Sequence, residues 1–546
     1  MNGNRTNEND ETGPADGTGE RDRVDEVEES DPAGETDEAG TVDGLDEPRS
    51  AARSSASSPG GLPSRAARTV ASARTVADEL ATWTPDDVDG LVRAVGERLA
   101  DRETVSRLAR SAANETGRGH PGTKTEKIAT ALDGARRSLR SAPTAGVVDR
   151  DRAAGTVTVA GPHGVVGASV PATHPVVLPA VLSLYGLAAR NAVVFAPSPS
   201  TVETTDVVVE TVRRALSDAG APSNAVSMLP APASKPDTDA LFERADFVVA
   251  SGSEATVTAG QRCGTPNVAA SADGFVAVAD GSVPAEAVAT RVAVGATYDF
   301  GAHPAGDAAV VTVTPAVEDL CAALEAEGGY VLDADERDRF RTFLGDAEVG
   351  SARGADGNGT EAAARGRSEG RDGRSVPRVT GGGADPRGNS PRWLATALGL
   401  PSAARQAAFL VAEPDGADDP LATLPGLPAV AVHGRDGFDA ATGLAAEIGS
   451  PHAAAVHTSQ QRRARRVAER LAPGRLVVNQ PGIAAAGTRS NGFAVAPLLG
   501  GGTAEGSQLC GGLTADRLAQ TTTVAATSVA DEASHRNGAG ETLRGP

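Results

Sequence analysis

"GVVGASVPATHPVVLPAVLSLYGLAARNAVVFAPSPS" occupies Gly164–Ser200 and decides the fold class. The apolar run "GVVGASV" reads as a buried strand, "HPVVLPAVLSLYGLAAR" as a helix and "NAVVFA" as a second strand. The alternation continues with "TTDVVVETVRRALSDAG" as a helix, "AVSMLP" as a strand, "DTDALFERA" as a helix and "DFVVASGS" as a strand. "EATVTAGQRCG" then starts another helix. Short apolar strands alternating with helices predict an α/β fold with an open parallel sheet. Its crossovers should be right-handed, with a ligand at the carboxyl ends of the strands.

Upstream, "TPDDVDGLVRAVGERLA" predicts a helix capped by Thr84, with Pro85, Asp86 and Asp87 in its first turn. Val88, Leu91, Val92, Val95 and Leu99 share one face. A second helix runs through Leu108 to Asn114, and "VVDRDRAAGTVTVAG" predicts a hairpin over Val147–Gly161. Downstream, "WLATALGLP", "AAFLVAE", "LPAVAVH", "GFDAATGLAAEIG", "HAAAVHT" and "RLVVNQPG" form a second αβ set. "TADRLAQTTTVAA" is the last periodic stretch, and its β-branched run suits an edge-pairing strand. Residues 1–62 and 346–388 lack apolar periodicity, so they are expected to be a disordered acidic tail and a disordered insertion; residues 527–546 read as a C-terminal tail.

The 546 residues suit two or three domains. Net charge is −21, of which the first 50 residues carry −13. No basic surface points to nucleic acid. Lys124, Lys127 and Lys235 are the only lysines. This acid-rich, lysine-poor composition resembles proteins of salt-loving archaea, although a GC-rich genome produces much of the same bias. Cys263, Cys321 and Cys510 are too few and too scattered for a disulfide framework or a zinc site, and no metal site is expected. Without an apolar signal core or a long apolar span, the chain is expected in the cytoplasm, off the membrane.

Several stretches together resemble the aldehyde dehydrogenase superfamily, in its coenzyme-A-acylating branch, from about Ala66 to Ala526. "ANETGRG" resembles the branch's early helix ending, and "GVVGASVPATHP" its first cofactor strand and loop. "NAVVFAPSPS" carries the Ala-Pro typical of the branch; "VVASGS", "RLVVNQPG" and "LLGGGTAEGSQLCGG" complete the order. The resemblance implies a Rossmann-type cofactor domain over 63–146 and 161–292. It implies a catalytic-like domain over 293–345 and 389–475, and a return to the cofactor domain over 476–513. Oligomerisation elements fall at 147–160 and 514–526, which implies a homodimer or a mixed oligomer with an active paralogue. NAD or NADP is the implied cofactor and coenzyme A a co-substrate. Val170, Pro171, Thr173, Phe195, Ala196, Pro197, Ser251, Gly252 and Ser253 fall at the implied nucleotide-binding positions, and Glu254 would repel a pyrophosphate there.

The family reaction needs a cysteine thiolate. "GATYDFGAHPAG" matches the family segment without a gap and places Pro304 at the cysteine position, with His303 beside it. Proline supplies neither a nucleophile nor an N–H. The loop asparagine of the family's oxyanion hole falls on His174. A family Glu-Glu pair is replaced by Pro420 and Leu421. Cys263 and Cys321 read as core residues. Cys510, in the late Gly-rich loop, is the candidate for a relocated thiol. Two functions stay open: a paralogue silent in the first chemical step, or an active oxidoreductase using Cys510.

Overall fold

The chain is seen here in a computed structural model that describes residues 64–140, 143–271, 274–355, 367–369, 375–377, 385–449 and 452–525. Four helices come first: α1 (Arg65–Leu80), α2 (Pro85–Ala100), α3 (Arg102–Thr116) and α4 (Pro121–Leu139). At the start of α2 the Thr84 side chain accepts the Asp87 N–H, and the Asp87 carboxylate accepts the Thr84 N–H. This reciprocal cap satisfies two donors that the first turn leaves free. The face predicted to be apolar, Val88 to Leu99, is buried.

The predicted hairpin forms as β1 (Gly146–Asp151) and β2 (Thr156–Pro162). The first αβ set then runs β3 (Val165–Val170), α5 (Val177–Ala188), β4 (Ala192–Pro197), α6 (Val202–Asp218), β5 (Val226–Met228), α7 (Lys235–Arg244), β6 (Phe247–Gly252), α8 (Glu254–Arg262) and β7 (Asn267–Ser271). The strands form one parallel sheet in the order β5-β4-β3-β6-β7. Every residue of β3, β4 and α5 is buried. A helix without a polar face must be covered on all sides, and α5 lies between the sheet and the helices α2, α4 and α6. Pro179 costs α5 little, because first-turn N–H groups have no intrahelical partner.

A second parallel sheet has seven strands. It begins β8 (Phe275–Ala279), α9 (Ala285–Thr297), β9 (Asp307–Val313), α10 (Val317–Ala326), β10 (Gly329–Val331) and α11 (Ala334–Ala355). A short antiparallel pair, β11 (Arg367–Glu369) and β12 (Ser375–Pro377), precedes β13 (Phe409–Ala412), β14 (Ala429–Arg435), β15 (Ala454–His457) and β16 (Leu476–Val478). The order is β10-β13-β14-β9-β8-β15-β16. β17 (Leu499–Gly501) pairs with β18 (Cys510–Gly512), and β19 (Ala519–Ala525) closes the described chain.

These placements move three expected boundaries. β8 and α9 belong to the second core, so the first domain ends near Ser271 rather than at residue 292. β16 is still the edge strand of the second sheet, and the return to the first core is made by Leu498, Leu509 and Leu513. The αβ alternation does not reveal that consecutive strands β7 and β8, three residues apart, join different sheets. Helix α11 continues through Ala355, into the segment expected to be disordered from residue 346. Residues 385–388 are also structured: Gly388 donates to Gly426 O and accepts from Gly119 N. Residues 1–63, most of 356–384 and 526–546 lie outside the described residues. Among the described residues no helix is long and apolar enough to cross a membrane.

The two Thr/Val stretches pair with each other. β19 runs antiparallel to β2, with Thr522 opposite Val159 and Val524 opposite Val157. The result is a small separate sheet, β1-β2-β19.

Candidate active site

The first sheet has the strand order 3-2-1-4-5, in which successive connections leave β3 and β6 in opposite directions. A crevice must open at their carboxyl ends. Ser169 holds that crevice: its hydroxyl donates to Ser251 O and accepts the Ser251 N–H, both at 2.8 Å. A cleft of about 520 Å³ lies there, within the usual range for ligand sites. Val170, Pro171, Thr173, Ala196, Pro197, Ser251, Gly252 and Ser253 all line it. Gly252 has φ +136°, a backbone conformation natural only to glycine.

Phe195 is a correction. Its ring is fully buried in the core between β4 and the helices on one face. Side chains alternate along a strand, so a residue adjacent to the crevice by sequence can point away from it. Glu254 is exposed at the start of α8 and is not among the residues lining the cleft.

A second cleft, about 220 Å³, lies on the other side of His303 and Pro304, which line both. His174, Lys127 and Tyr298 face this smaller cleft. The backbone leading to the junction is strained: Asp299 and Phe300 both adopt left-handed conformations, at φ 54° and 57°. Each such residue costs roughly 1–2 kcal/mol. Asp299 anchors the turn. Its carboxylate accepts the His120 N–H at 3.1 Å and both lysine ammonium groups, Lys124 and Lys127, at 3.0 Å. A Cβ at Gly119 would sit 2.0 Å from the Asp299 carboxylate, so only glycine lets that chain approach.

Lys127 also donates to Thr173 O at 3.4 Å and Ala302 O at 3.3 Å. It therefore ties the loop before His174 to the turn before His303. Burial lowers its pKa to about 8, and the Asp299 charge opposes the shift. Burial acts to raise the Asp299 pKa, but Lys127 and Lys124 outweigh it and hold the carboxyl below its usual range.

Both junction histidines are neutral. Burial, aided by Lys127, takes His303 down to about 3 and His174 well below its ordinary value. The Ala305 N–H donates to His303 Nδ1 at 3.1 Å, which leaves the ring proton on Nε2. That contact also occupies the first backbone N–H after Pro304. The junction therefore offers neutral N–H donors and no thiolate. It can orient a carbonyl, but no side chain seen there can form a thioester.

Cys510 does not reach this junction. It is exposed on β18 opposite Gly501 and lines neither cleft. A Gly-rich sequence shows that a loop can bend, not where its side chain points. Cys321 is buried, as expected, and burial pushes its thiol up to about 12. Cys263 is half-buried at the end of α8, its thiol donating to Gly260 O. Among the described residues no three His, Cys, Asp or Glu groups gather as a metal site. Leu421 is fully buried in the second core and Pro420 is exposed in its loop, and neither lines a cleft.

Three contributors escaped the sequence reading. The Asp299–Lys124–Lys127 cluster was signalled only by two of three lysines falling three residues apart. His452, just before β15, donates from Nε2 to Pro304 O at 3.0 Å. Asp307 begins β9, is buried, and accepts the Gly482 N–H at 2.9 Å. Burial raises its pKa to about 8, against the pull of that hydrogen bond. Nothing in the local sequence marks either contact, because their partners lie 148 and 175 residues away.

The chain has recognisable relatives. A model of the aldehyde dehydrogenase family matches residues 49–266. The acylating sulfoacetaldehyde dehydrogenase of Cupriavidus necator is 30% identical over 445 residues, 80% of this chain and 84% of the relative. An acetylating aldehyde dehydrogenase structure from Geobacillus thermoglucosidasius aligns with TM-score 0.72 and 23% identity, covering 85% of this chain and 96% of that one. A propionaldehyde dehydrogenase from Rhodopseudomonas palustris, solved with bound CoA and an acylated cysteine, aligns with TM-score 0.69 and 20% identity, covering 84% and 97%. At that level of identity the structures share the fold.

Proposed function

The chain belongs to the aldehyde dehydrogenase family and resembles its acylating members, and from that premise we propose that it is a paralogue silent in the thiol step which retains the nucleotide cleft. The observation that carries the reading is the junction of the two clefts. His303 and Pro304 separate them, and no cysteine lines either one. Pro304 stands where the family segment has its cysteine, by the ungapped match of "GATYDFGAHPAG". Without a thiolate there is no hemithioacetal, so no thioester passes to coenzyme A.

The larger cleft suits a nicotinamide dinucleotide. Its crevice lies at the switch point of a parallel sheet, and Gly252 lets backbone approach a phosphate closely. Val170–Thr173, Pro197 and Ser251–Ser253 would hold the nucleotide, whose nicotinamide accepts hydride when bound. Lys127 fixes both junction loops, and His174 and His303 remain neutral donors.

We further propose that the protein acts as a homodimer or in a mixed assembly with an active relative. The small β1-β2-β19 sheet supports this, since both outer strands are largely exposed and carry unpaired edges.

The test uses purified protein with aldehyde, coenzyme A and either nucleotide, monitored for reduced nicotinamide. Nucleotide binding without turnover is expected. Robust turnover abolished by Cys510→Ala would overturn the silent reading and establish the relocated thiol. For the assembly, a clean monomer in high salt, unchanged on deleting residues from Thr514 onward, would refute it.

A further inference from the structure

The large cleft also carries a charge pattern that bears on which nucleotide fits. In a sheet of this order the adenosine ribose lies at the carboxyl end of the second strand. An acid there reads the 2′-hydroxyl of NAD, and a cation accepts the 2′-phosphate of NADP. The second strand here is β4. It runs out through Ser198, Pro199 and Ser200, which bring two hydroxyl groups into the cleft and no acid. The next acid in the chain, Glu203, is exposed on α6 and is not a lining residue.

A cation arrives from the neighbouring strand. β5 pairs with β4, and the chain leaving its carboxyl end leads through Ser234 into α7. Lys235 is the first residue of α7, exposed, and lines the same cleft as Ser198 and Ser200. Ser234 caps that turn with a reciprocal Asp237 bond, so the start of α7 is well defined. Asp239 follows one turn later and lines the same cleft, so one acid and one ammonium stand at i,i+4 on this face of α7.

We propose that the cleft selects NADP over NAD, with the Lys235 ammonium and the Ser198 and Ser200 hydroxyls receiving the 2′-phosphate. The inference rests on the nucleotide reading above. Calorimetric titrations of the full chain with NADP⁺ and NAD⁺ test it, with 2′-AMP and 5′-AMP as probes of the adenosine end. NADP⁺ should bind about tenfold tighter, the scale of one hydrogen bond to a charged group. Lys235→Ala should remove that preference and leave NAD⁺ affinity unchanged, while Lys235→Arg should keep it. Equal affinities in the wild type, tighter NAD⁺, or an equal loss for both in Lys235→Ala would overturn the selectivity and leave the nucleotide site standing. If neither nucleotide binds the folded protein, both readings fall.

Discussion

The two clefts that meet at His303 and Pro304 are held in different ways. The larger is shaped by strand ends, a serine bridge and a glycine turn, so its geometry is spread over many backbone contacts. The smaller depends on one buried charge cluster and a strained turn. Shape distributed over a scaffold survives the replacement of any one residue. Chemistry concentrated in a single atom does not.

The widest gap between the clefts should be in activity. Losing a nucleophile costs on the order of a million-fold in hydrolases. Wild-type protein should therefore show no coenzyme-A-dependent aldehyde oxidation, while nucleotide binding to the large cleft persists. Turnover at family-like rates, followed by absorbance, would break the comparison.

The charge cluster comes next. Asp299→Ala strands two buried ammonium groups, a loss of about 3–5 kcal/mol. Denaturant titration should show the midpoint falling without a change in m. A change within experimental error would mean that the turn is held by packing alone. Lys124→Met and Lys127→Met together with Asp299→Leu should recover much of the loss, since an apolar replacement of a buried ion group is often neutral.

Asp307 sharpens the contrast through pH. Its folded pKa is raised to about 8 by burial. A raised carboxyl contributes stability that is complete below its ordinary value of about 3.9 and is lost as pH rises through the folded value. Asp307→Asn should abolish that loss, leaving the variant more stable than wild type at pH 8 by on the order of 5 kcal/mol. Parallel stability profiles for the two proteins between pH 4 and pH 8 would contradict it.

The smallest effect concerns thiols. A maleimide should label exposed Cys510 fastest and buried Cys321 slowest, with rates indifferent to nucleotide because none of the three thiols lines a cleft. Nucleotide protection of Cys510 would place it nearer the site than its strand suggests.

Much of the first sheet was legible because local patterns are local causes. The runs at Val165–Val170 and Ala192–Ala196 are apolar on both faces, as strands covered by helices on both sides must be. Thr84 and Asp87 announced the start of α2 from four consecutive residues. Eight of the nine residues expected at the crevice line the large cleft, since strand ends in a parallel sheet converge on one place. Phe195 failed because which face a side chain takes depends on register, which one strand alone does not reveal.

By itself, then, the sequence determined the α/β class, the order of the elements, the crevice and the proline at Pro304. Tertiary structure alone decided the division between the two sheets near Ser271 and the exposure of Cys510 away from both clefts. It also decided the Asp299 clamp on Lys124 and Lys127, the Gly482 contact of Asp307 and the His452 contact to Pro304. The physical reason is distance along the chain. Periodicity and capping act within a few residues, whereas a buried charge finds its partner only when segments more than a hundred residues apart are brought to one place.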